Sequence, residues 1–255
     1  MILETHLNEI IETLLNSQTR QFVPVAQLIE CLDLTLLDKE ASNEAFLKLA
    51  QDANQNHVAA VCVYLENLSQ FSLLKDEVEL ATVINFPHAH EELNTSLACI
   101  EKAAHLGATE IDYVLPYQLY LDGQNQKALN HCSKIGQLCK QLKLSLKIIL
   151  ETGAFPNIQT VYEASSELMD SGCDFLKTST GKITQGASFS AVFAILSAIK
   201  DANSQCGLKI SGGIKMPQQA CNYAILAQLI IGKEINKKWF RIGASSLLHE
   251  LLKIN

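Results

Sequence analysis

Three charged residues lie within apolar segments that predict buried strands. Asp112 lies in the run EIDYVLP, Lys177 in DFLKTSTGK and Lys209 in LKISGG. Buried charges are costly unless they are paired or functional. An amine nucleophile must be neutral at working pH, whereas a free lysine titrates near about 10.4, and burial or a second ammonium lowers that pKa. The two lysines therefore indicate an imine-forming amine and its electrostatic tuner, with Asp112 as a general acid or base.

Two glycine- and serine-rich segments are typical of a phosphate site. Gly212 and Gly213 follow the run that carries Lys209, and the segment GASS brings Ser245 and Ser246 to the start of a helix. Glycines let backbone N–H groups approach an anion, and a helix start adds free N–H groups and the positive end of a dipole. A tight turn or a serine N-cap explains either segment alone. Together they favour a phosphorylated ligand.

The elements that must position these groups alternate in type. Apolar, β-branched runs predict eight strands, and stretches with a 3.6-residue period predict a helix after each. The predicted strands are 32–36, 58–65, 78–86, 110–116, 144–151, 174–179, 208–212 and 238–243. The predicted helices are 42–54, 66–75, 90–106, 126–142, 159–171, 188–204, 218–231 and 245–253.

Eight such units favour an α/β fold of the (β/α)8 TIM barrel type, with its chemistry at the carboxyl ends of the strands and phosphate after strands 7 and 8. An open doubly wound sheet is the alternative, but no GxGxxG follows an early strand. We expect a single domain over 1–255, because no linker divides the chain. Residues 1–31 predict extra N-terminal helices, which either plug the bottom of the barrel or pack outside it.

Three glycines punctuate this pattern. Gly107, Gly172 and Gly207 each stand between a predicted helix and the following strand. Each is therefore predicted to end its helix in the left-handed conformation, which glycine adopts at least cost.

Composition excludes several classes of function. A net charge of −7 gives no electrostatic footprint for nucleic acid or an anionic membrane. No apolar run reaches the roughly 18 residues that span a bilayer. The acidic start MILETHLNEI does not resemble a signal peptide, so a cytoplasmic protein is expected.

Metal and disulfide chemistry have weak signals. The eight cysteines contain no CxxC, and four of them lie within predicted helices, so we expect reduced thiols that pack as small apolar groups. His88 and His90 form an H-x-H, which is a weak metal signal without a carboxylate or cysteine cluster beside it. No metal site is therefore predicted.

Taken together, these segments resemble the deoxyribose-phosphate aldolase family. The segments are DFLKTSTGK, LKISGGIK, NFPHA, GATEIDYVLPY and IGASSLL, in the family's order and with comparable spacing from CLDLTLL at 31–37 to Leu252. The resemblance implies a class I aldolase that needs no metal and no organic cofactor. It further implies reversible cleavage of 2-deoxy-D-ribose 5-phosphate to acetaldehyde and D-glyceraldehyde 3-phosphate, in deoxyribose phosphate catabolism.

The resemblance also implies residue roles. Lys177 matches the Schiff-base lysine, Lys209 the second lysine that perturbs it and assists proton transfer, and Asp112 the proton-relay aspartate. The residues that match or flank those lining the substrate's sugar portion are Asp33, Thr35, Gly181 and Lys182.

One difference concerns the end of the sequence. The family's enterobacterial type ends in a flexible tail with a terminal tyrosine that helps proton exchange, and Ile254–Asn255 offer no such tyrosine. The proton route is therefore expected to differ from that type.

Two alternatives use the same residues. Another class I barrel aldolase or a phosphosugar isomerase would act on a different sugar, and a non-catalytic barrel would only bind a phosphosugar. Covalent trapping of an imine separates the aldolases from the binding protein. In each case the partner is a small phosphosugar. Exposed apolar helix faces permit a homodimer without selecting one.

Overall fold

The computed structural model describes residues 2–16 and 23–254. Over these residues, eight parallel strands pair in chain order, and the last pairs with the first to close a barrel. The strands are β1 Leu32–Leu36, β2 Ala60–Val63, β3 Glu79–Ile84, β4 Glu110–Val114, β5 Ser145–Ile149, β6 Phe175–Lys177, β7 Gly207–Ser211 and β8 Phe240–Ala244. The predicted (β/α)8 barrel and the order of its strands are confirmed.

The helices of the described residues surround this barrel. They are α1 Ile2–Asn16, α2 Val25–Glu30, α3 Asn43–Asn56, α4 Leu93–His105, the single turn α5 Tyr117–Leu119, α6 Asn125–Leu142, α7 Ile158–Met169, α8 Phe189–Asp201, α9 Pro217–Ile231 and α10 Leu247–Leu252. A π-helical segment, Tyr120–Gln124, joins α5 to α6, and a short 3₁₀ turn, Thr152–Ala154, follows β5. None of these helices is long and apolar enough to cross a membrane.

The predicted helix at 66–75 takes a different form. The structure has a 3₁₀ helix over Leu65–Phe71. Leu68 and Phe71 are buried, with Leu65 packed beside them. A 3₁₀ helix aligns side chains at a three-residue spacing, and an α-helix also places residues three apart on one face. The spacing of these apolar residues therefore fits both helical forms, of which the tighter one is present.

Two of the three predicted glycine caps are confirmed. Gly107 and Gly172 have φ angles of 88° and 79°. The prediction for Gly207 is wrong, because this residue begins β7. A Cβ at Gly207 would lie 2.5 Å from the Phe175 ring, so this glycine makes room for an inward aromatic side chain. The left-handed residue before β7 is instead Asn203, with φ 48°.

The N-terminal helices pack against the outer layer. α1 contacts α7 and α8, and the His6 ring meets the Phe193 ring edge to face at 5.5 Å. Of the two predicted positions for the extension, α1 takes the outer one. α2 packs against α9 and α10, and Gln27 donates to the Ile235 carbonyl at 2.7 Å. Residues 17–22 of the predicted extension lie outside the described residues.

Candidate active site

The register of the strands brings the two predicted lysines together. Lys177 ends β6 and pairs in register with Lys209 of β7. Asp112 of β4 reaches both from across the barrel, and its Oδ2 lies 2.7 Å from Lys177 Nζ and 2.7 Å from Lys209 Nζ. The three residues proposed for chemistry therefore meet at one carboxylate oxygen.

Burial and charge shift the pKa values of the two lysines in opposite directions. Lys177 is 3% exposed and the other two are fully buried. Burial, together with the Lys209 charge, lowers the pKa of Lys177 against the opposing pull of Asp112. Burial alone would lower the pKa of Lys209 too, but Asp112 and Asp33 hold it above its usual value. Lys177 is therefore the lysine that loses its proton more readily, and Lys209 the one that holds its proton more strongly.

Asp112 is held as a carboxylate. Burial alone would raise its pKa, but the ammonium groups of Lys147, Lys177 and Lys209 keep it well below the ordinary value. Its Oδ1 lies 3.1 Å from Lys147 Nζ. It accepts hydrogen bonds from the ammonium groups of Lys177 and Lys209 and can pass a proton between them.

Four more charged side chains fill the barrel below this trio. Asp33 Oδ2 lies 2.6 Å from Lys209 Nζ, and Asp33 Oδ1 accepts from Arg241 Nη1 at 2.8 Å. Arg241 Nη2 donates to Glu110 Oε1 at 3.0 Å, and Lys147 donates to the other oxygen of Glu110. The barrel interior is thus an ion-pair network rather than an apolar plug.

Small and aromatic residues shape this interior. A Cβ on Gly243 would lie 3.1 Å from Lys209 Cε, so a side chain there would crowd the lysine stem. The Phe175 ring lies beneath two cations, 5.3 Å from Arg241 Cζ and 6.0 Å from Lys147 Nζ. Its negative face favours both charges.

The loops after β6 and β7 are joined above the lysines. Thr178 Oγ1 donates to the Ser211 carbonyl and accepts from the Ser211 N–H, both at 3.0 Å. The Gly212 carbonyl accepts from Ala187 N–H at 3.1 Å. A Cβ on Gly186 would lie 2.3 Å from that carbonyl oxygen, so the approach requires glycine. The two loops therefore form one wall of the mouth.

The predicted glycines of the mouth have backbone conformations that favour glycine. The φ angles of Gly181, Gly212 and Gly213 are 75°, 93° and 86°. Gly181 and Gly213 are exposed, and Gly212 is half-buried. Gly181 and Gly213 are therefore open to solvent beyond the carboxyl ends of β6 and β7.

The residues matched to the sugar portion fall at two depths. Asp33 is fully buried, with both oxygens facing Arg241 and Lys209. Thr35, at the end of β1, donates to the Asp33 carbonyl at 3.0 Å. The exposed Lys182 reaches across the mouth to the Leu37 carbonyl at 2.9 Å. Asp33 therefore contacts the lysine pair only through Lys209, whereas Lys182 lies at the rim.

The serine pair after β8 lies at the mouth, and the helix that follows it begins later than predicted. The predicted helix starts at 245, but α10 begins at Leu247 with Ser246 as its N-cap. Ser245 and Ser246 are both exposed, and the Ser246 hydroxyl makes no cap hydrogen bond. The Ser246 hydroxyl therefore does not cap the helix.

The sequence analysis gave no role to four charged residues of this site, Glu110, Lys147, Glu151 and Arg241. Arg241 stands two residues before Gly243 in β8, and the strand period turns it inward; that alternation was the available signal. Glu151 follows β5 with φ 62° and accepts from Thr180 N–H at 3.2 Å and from its hydroxyl. Only the folded loop shows that Glu151 supports the segment after Lys177.

Among the described residues, the histidines and cysteines are not grouped as metal ligands. The rings of His88 and His90 are 6.0 Å apart, and no group of three or more potential metal ligands occurs among the described residues. The eight cysteines are all free thiols, and those predicted to lie in helices fall in α4, α6 and α9.

The closed (β/α)8 barrel brings two lysines and a carboxylate together at the carboxyl ends of its strands, where enzymes of this fold class carry their chemistry. Residues 27–253 match the sequence model of the DeoC/LacD aldolases. The chain belongs to this family of aldolases, which are carbon–carbon lyases.

Solved structures show the same fold. A deoxyribose phosphate aldolase from Aeropyrum pernix, described as having a unique tetrameric structure, is 27% identical with a TM-score of 0.75, over 91% of this chain and 92% of that one. A Coccidioides immitis protein provisionally described as a deoxyribose-phosphate aldolase is 21% identical with a TM-score of 0.79, over 98% and 97%. The aldolase QR15 is 22% identical with a TM-score of 0.76, over 89% and 95%.

Proposed function

We propose that this aldolase reversibly cleaves 2-deoxy-D-ribose 5-phosphate to acetaldehyde and D-glyceraldehyde 3-phosphate through a Schiff base on Lys177. The observation that carries the proposal is the shared Asp112 oxygen, 2.7 Å from the nitrogen of a lysine with a lowered pKa and 2.7 Å from that of a charged lysine. This arrangement supplies a neutral amine, a proton donor and a proton acceptor within one contact of each other.

The first half of the reaction makes the imine. The neutral Lys177 amine attacks C1 of the open-chain sugar, and the resulting carbinolamine loses its hydroxyl as water. Asp112 relays the proton released by the attacking nitrogen to the carbinolamine oxygen, and the charged Lys209 donates the second proton that leaves in the water. The product is a protonated imine that can accept an electron pair.

The second half breaks one carbon–carbon bond. The C3 hydroxyl loses its proton through Asp112 to Lys209, the C2–C3 bond breaks, and its electron pair enters the imine to give an enamine. D-glyceraldehyde 3-phosphate leaves. Protonation of the enamine at C2 and hydrolysis of the imine then release acetaldehyde and regenerate the Lys177 amine. The enamine requires an amine nucleophile, since neither a hydroxyl nor a thiol can act as this electron sink.

The rim of the barrel offers groups for the rest of the substrate. Gly212 and Gly213 after β7 and Ser245 and Ser246 after β8 are proposed to hold the phosphate with N–H and hydroxyl donors. Lys182 adds a positive charge at the same mouth, beside Gly181. Thr35 is proposed to contact the sugar, and Asp33 to act on it through Lys209.

The proposal needs no metal ion or organic cofactor, because the imine itself is the electron sink. We place the activity in the cytoplasm, in deoxyribose phosphate catabolism. The cysteine spacing supports this compartment, because the eight cysteines contain no CxxC and four of them lie within predicted helices, as reduced thiols do.

A substrate comparison tests the proposal against other barrel aldolases. The protein is incubated in parallel with 2-deoxyribose 5-phosphate and fructose 1,6-bisphosphate, and release of the aldehyde products is followed by coupled dehydrogenases. We expect turnover of the deoxy sugar alone. Preferential cleavage of the bisphosphate would replace the proposed substrate, and no turnover of either sugar would favour a binding protein.

A further inference from the structure

The charged side chains below the mouth form a closed ring of alternating sign. Six contacts join them in order: Arg241 to Asp33 at 2.8 Å, Asp33 to Lys209 at 2.6 Å, Lys209 to Asp112 at 2.7 Å, Asp112 to Lys147 at 3.1 Å, Lys147 to Glu110, and Glu110 back to Arg241 at 3.0 Å. Each carboxylate uses one oxygen for each neighbour. The Lys209–Asp33 and Lys147–Asp112 contacts are ion pairs, and the other four are also hydrogen bonds.

The ring is neutral by itself, with three cations and three carboxylates among the described residues. Lys177 lies outside it and contacts it only through Asp112 Oδ2, which it shares with Lys209. Within the described chain, no other carboxylate lies within ion-pair distance of Lys177 Nζ. A protonated Lys177 is therefore the one cation in excess in a buried network, where an uncompensated charge is costly.

Arg241 completes the ring from the side farthest from the reacting amine. It is 5% exposed and contacts Asp33 and Glu110, each of which lies three contacts from Lys177. Its Nε donates to the Lys237 carbonyl, which fixes the guanidinium at the amino end of β8. Arg241 thus does not reach the substrate, but its charge contributes to the net charge of the ring.

We propose that Arg241 is a positioning residue for the aldolase reaction: its charge neutralises the ring and so leaves Lys177 as the surplus cation that gives up its proton. The inference rests on the proposed function, since it takes Lys177 as the imine-forming amine. Without Arg241 the ring would hold two cations and three carboxylates, and a protonated Lys177 would restore neutrality. Loss of Arg241 would therefore keep the amine charged and unreactive at neutral pH.

The other ionisable groups near Lys177 are not expected to change their charge when Arg241 is replaced. Cys62 of β2 faces the lysine as a thiol, because burial raises the pKa of Cys62 to about 11. Glu151 is hydrogen-bonded to Thr180, and burial raises its pKa. The remaining charges that face the site, in the order of their strands, are Asp33, Glu110, Asp112, Lys147 and Lys209.

Three variants separate charge balance from simple loss of structure. Arg241→Met removes one cation. Arg241→Lys keeps the cation and loses the two-pronged contact. The double variant Arg241→Met/Glu110→Gln removes one charge of each sign, so the remaining Lys147, Asp112, Lys209 and Asp33 are again neutral together. Folding of each is checked by circular dichroism and thermal unfolding, and rates are taken per folded molecule.

The readout is the rate at which acetaldehyde forms an imine at Lys177, trapped with cyanoborohydride and located by peptide mass, from pH 6 to pH 10. A change of one nearby charge alters a pKa by about one unit or more, so imine formation by Arg241→Met should fall at least about tenfold at pH 7 and recover as the pH rises. Arg241→Lys and the double variant should regain most of the wild-type pH profile, even though the double variant has lost more contacts.

The outcomes distinguish a failure of the proposed function from a failure of the role proposed for the ring. A wild-type protein that is not labelled at Lys177 would contradict the proposed function, and with it the role of the ring. Wild-type labelling together with an unshifted pH profile in Arg241→Met would contradict the ring alone. A double variant whose profile stays shifted like that of Arg241→Met would also overturn the proposal, because charge balance would then not govern Lys177. If Arg241→Met does not fold, the double variant and Arg241→Lys decide the question.

Discussion

Substitution of Lys209 by methionine removes the charge nearest to Lys177 and keeps the length of the stem. Both lysine nitrogens lie 2.7 Å from the same oxygen of Asp112, so they are close enough to repel each other strongly. At a separation of ~5 Å and an effective dielectric constant of about 20, this repulsion is about 3 kcal/mol, or roughly a hundredfold in the neutral fraction of Lys177. Asp112 lies between the two charges and reduces the effect.

We expect Lys209→Met to lose at least about tenfold in rate at pH 7. The sign follows from the burial and the Lys209 charge that lower the pKa of Lys177: without that charge the pKa rises, fewer amines are neutral at pH 7, and activity returns towards pH 9 or 10. Initial rates of aldehyde release between pH 6 and pH 10 measure this shift. Lys209→Leu should behave alike.

The same change has a structural cost. Lys209 faces two buried carboxylates, and removing one partner of a buried ion pair typically costs about 3–5 kcal/mol. Rates are therefore compared per folded molecule, with thermal unfolding as the control. A loss that persists at every pH would assign Lys209 to proton transfer in the chemical step. A wild-type rate at pH 7 would refute both roles.

Three further outcomes follow from the site. Lys177→Ala and Lys177→Arg should both abolish turnover in the coupled assay, because neither side chain forms an imine, whereas Lys48→Arg on the exposed face of α3 should leave it unchanged. Gly213→Val, strained by the φ of 86°, should lose far more activity on deoxyribose 5-phosphate than on deoxyribose. Gly232→Val, strained by φ 77° at the end of α9, should lower both activities alike or neither. EDTA should not change the rate, and a loss restored by zinc would contradict the imine mechanism.

Local patterns were sufficient to predict the barrel. Apolar, β-branched runs predicted each strand. The period-two alternation within the strands indicated that Asp112, Lys177 and Lys209 face the same mouth, and the register brings them together there. These signals lie within single strands, so they need no knowledge of the closed structure. The helix at 65–71 was misjudged in type because its short apolar spacing fits two helical forms.

Long-range closure explains what the sequence could not show. Arg241 meets Asp33 only because β8 pairs with β1, more than two hundred residues earlier in the chain. The depth of Asp33 likewise depends on its two partners from β7 and β8. Gly207 was assigned to a helix end because its need for space comes from the Phe175 ring of a neighbouring strand. Ion-pair partners and steric needs across strands have no local signature.

The central claim is that the Lys177 amine forms a covalent imine, and reductive trapping tests it most directly. Protein incubated with 2-deoxyribose 5-phosphate and borohydride, beside a sample with fructose 1,6-bisphosphate, is examined by intact mass and then by peptide mapping. We predict one adduct per chain, at Lys177, with the deoxy sugar and none with the bisphosphate. An adduct at another lysine, or no adduct while the sugar is being cleaved, would contradict the account.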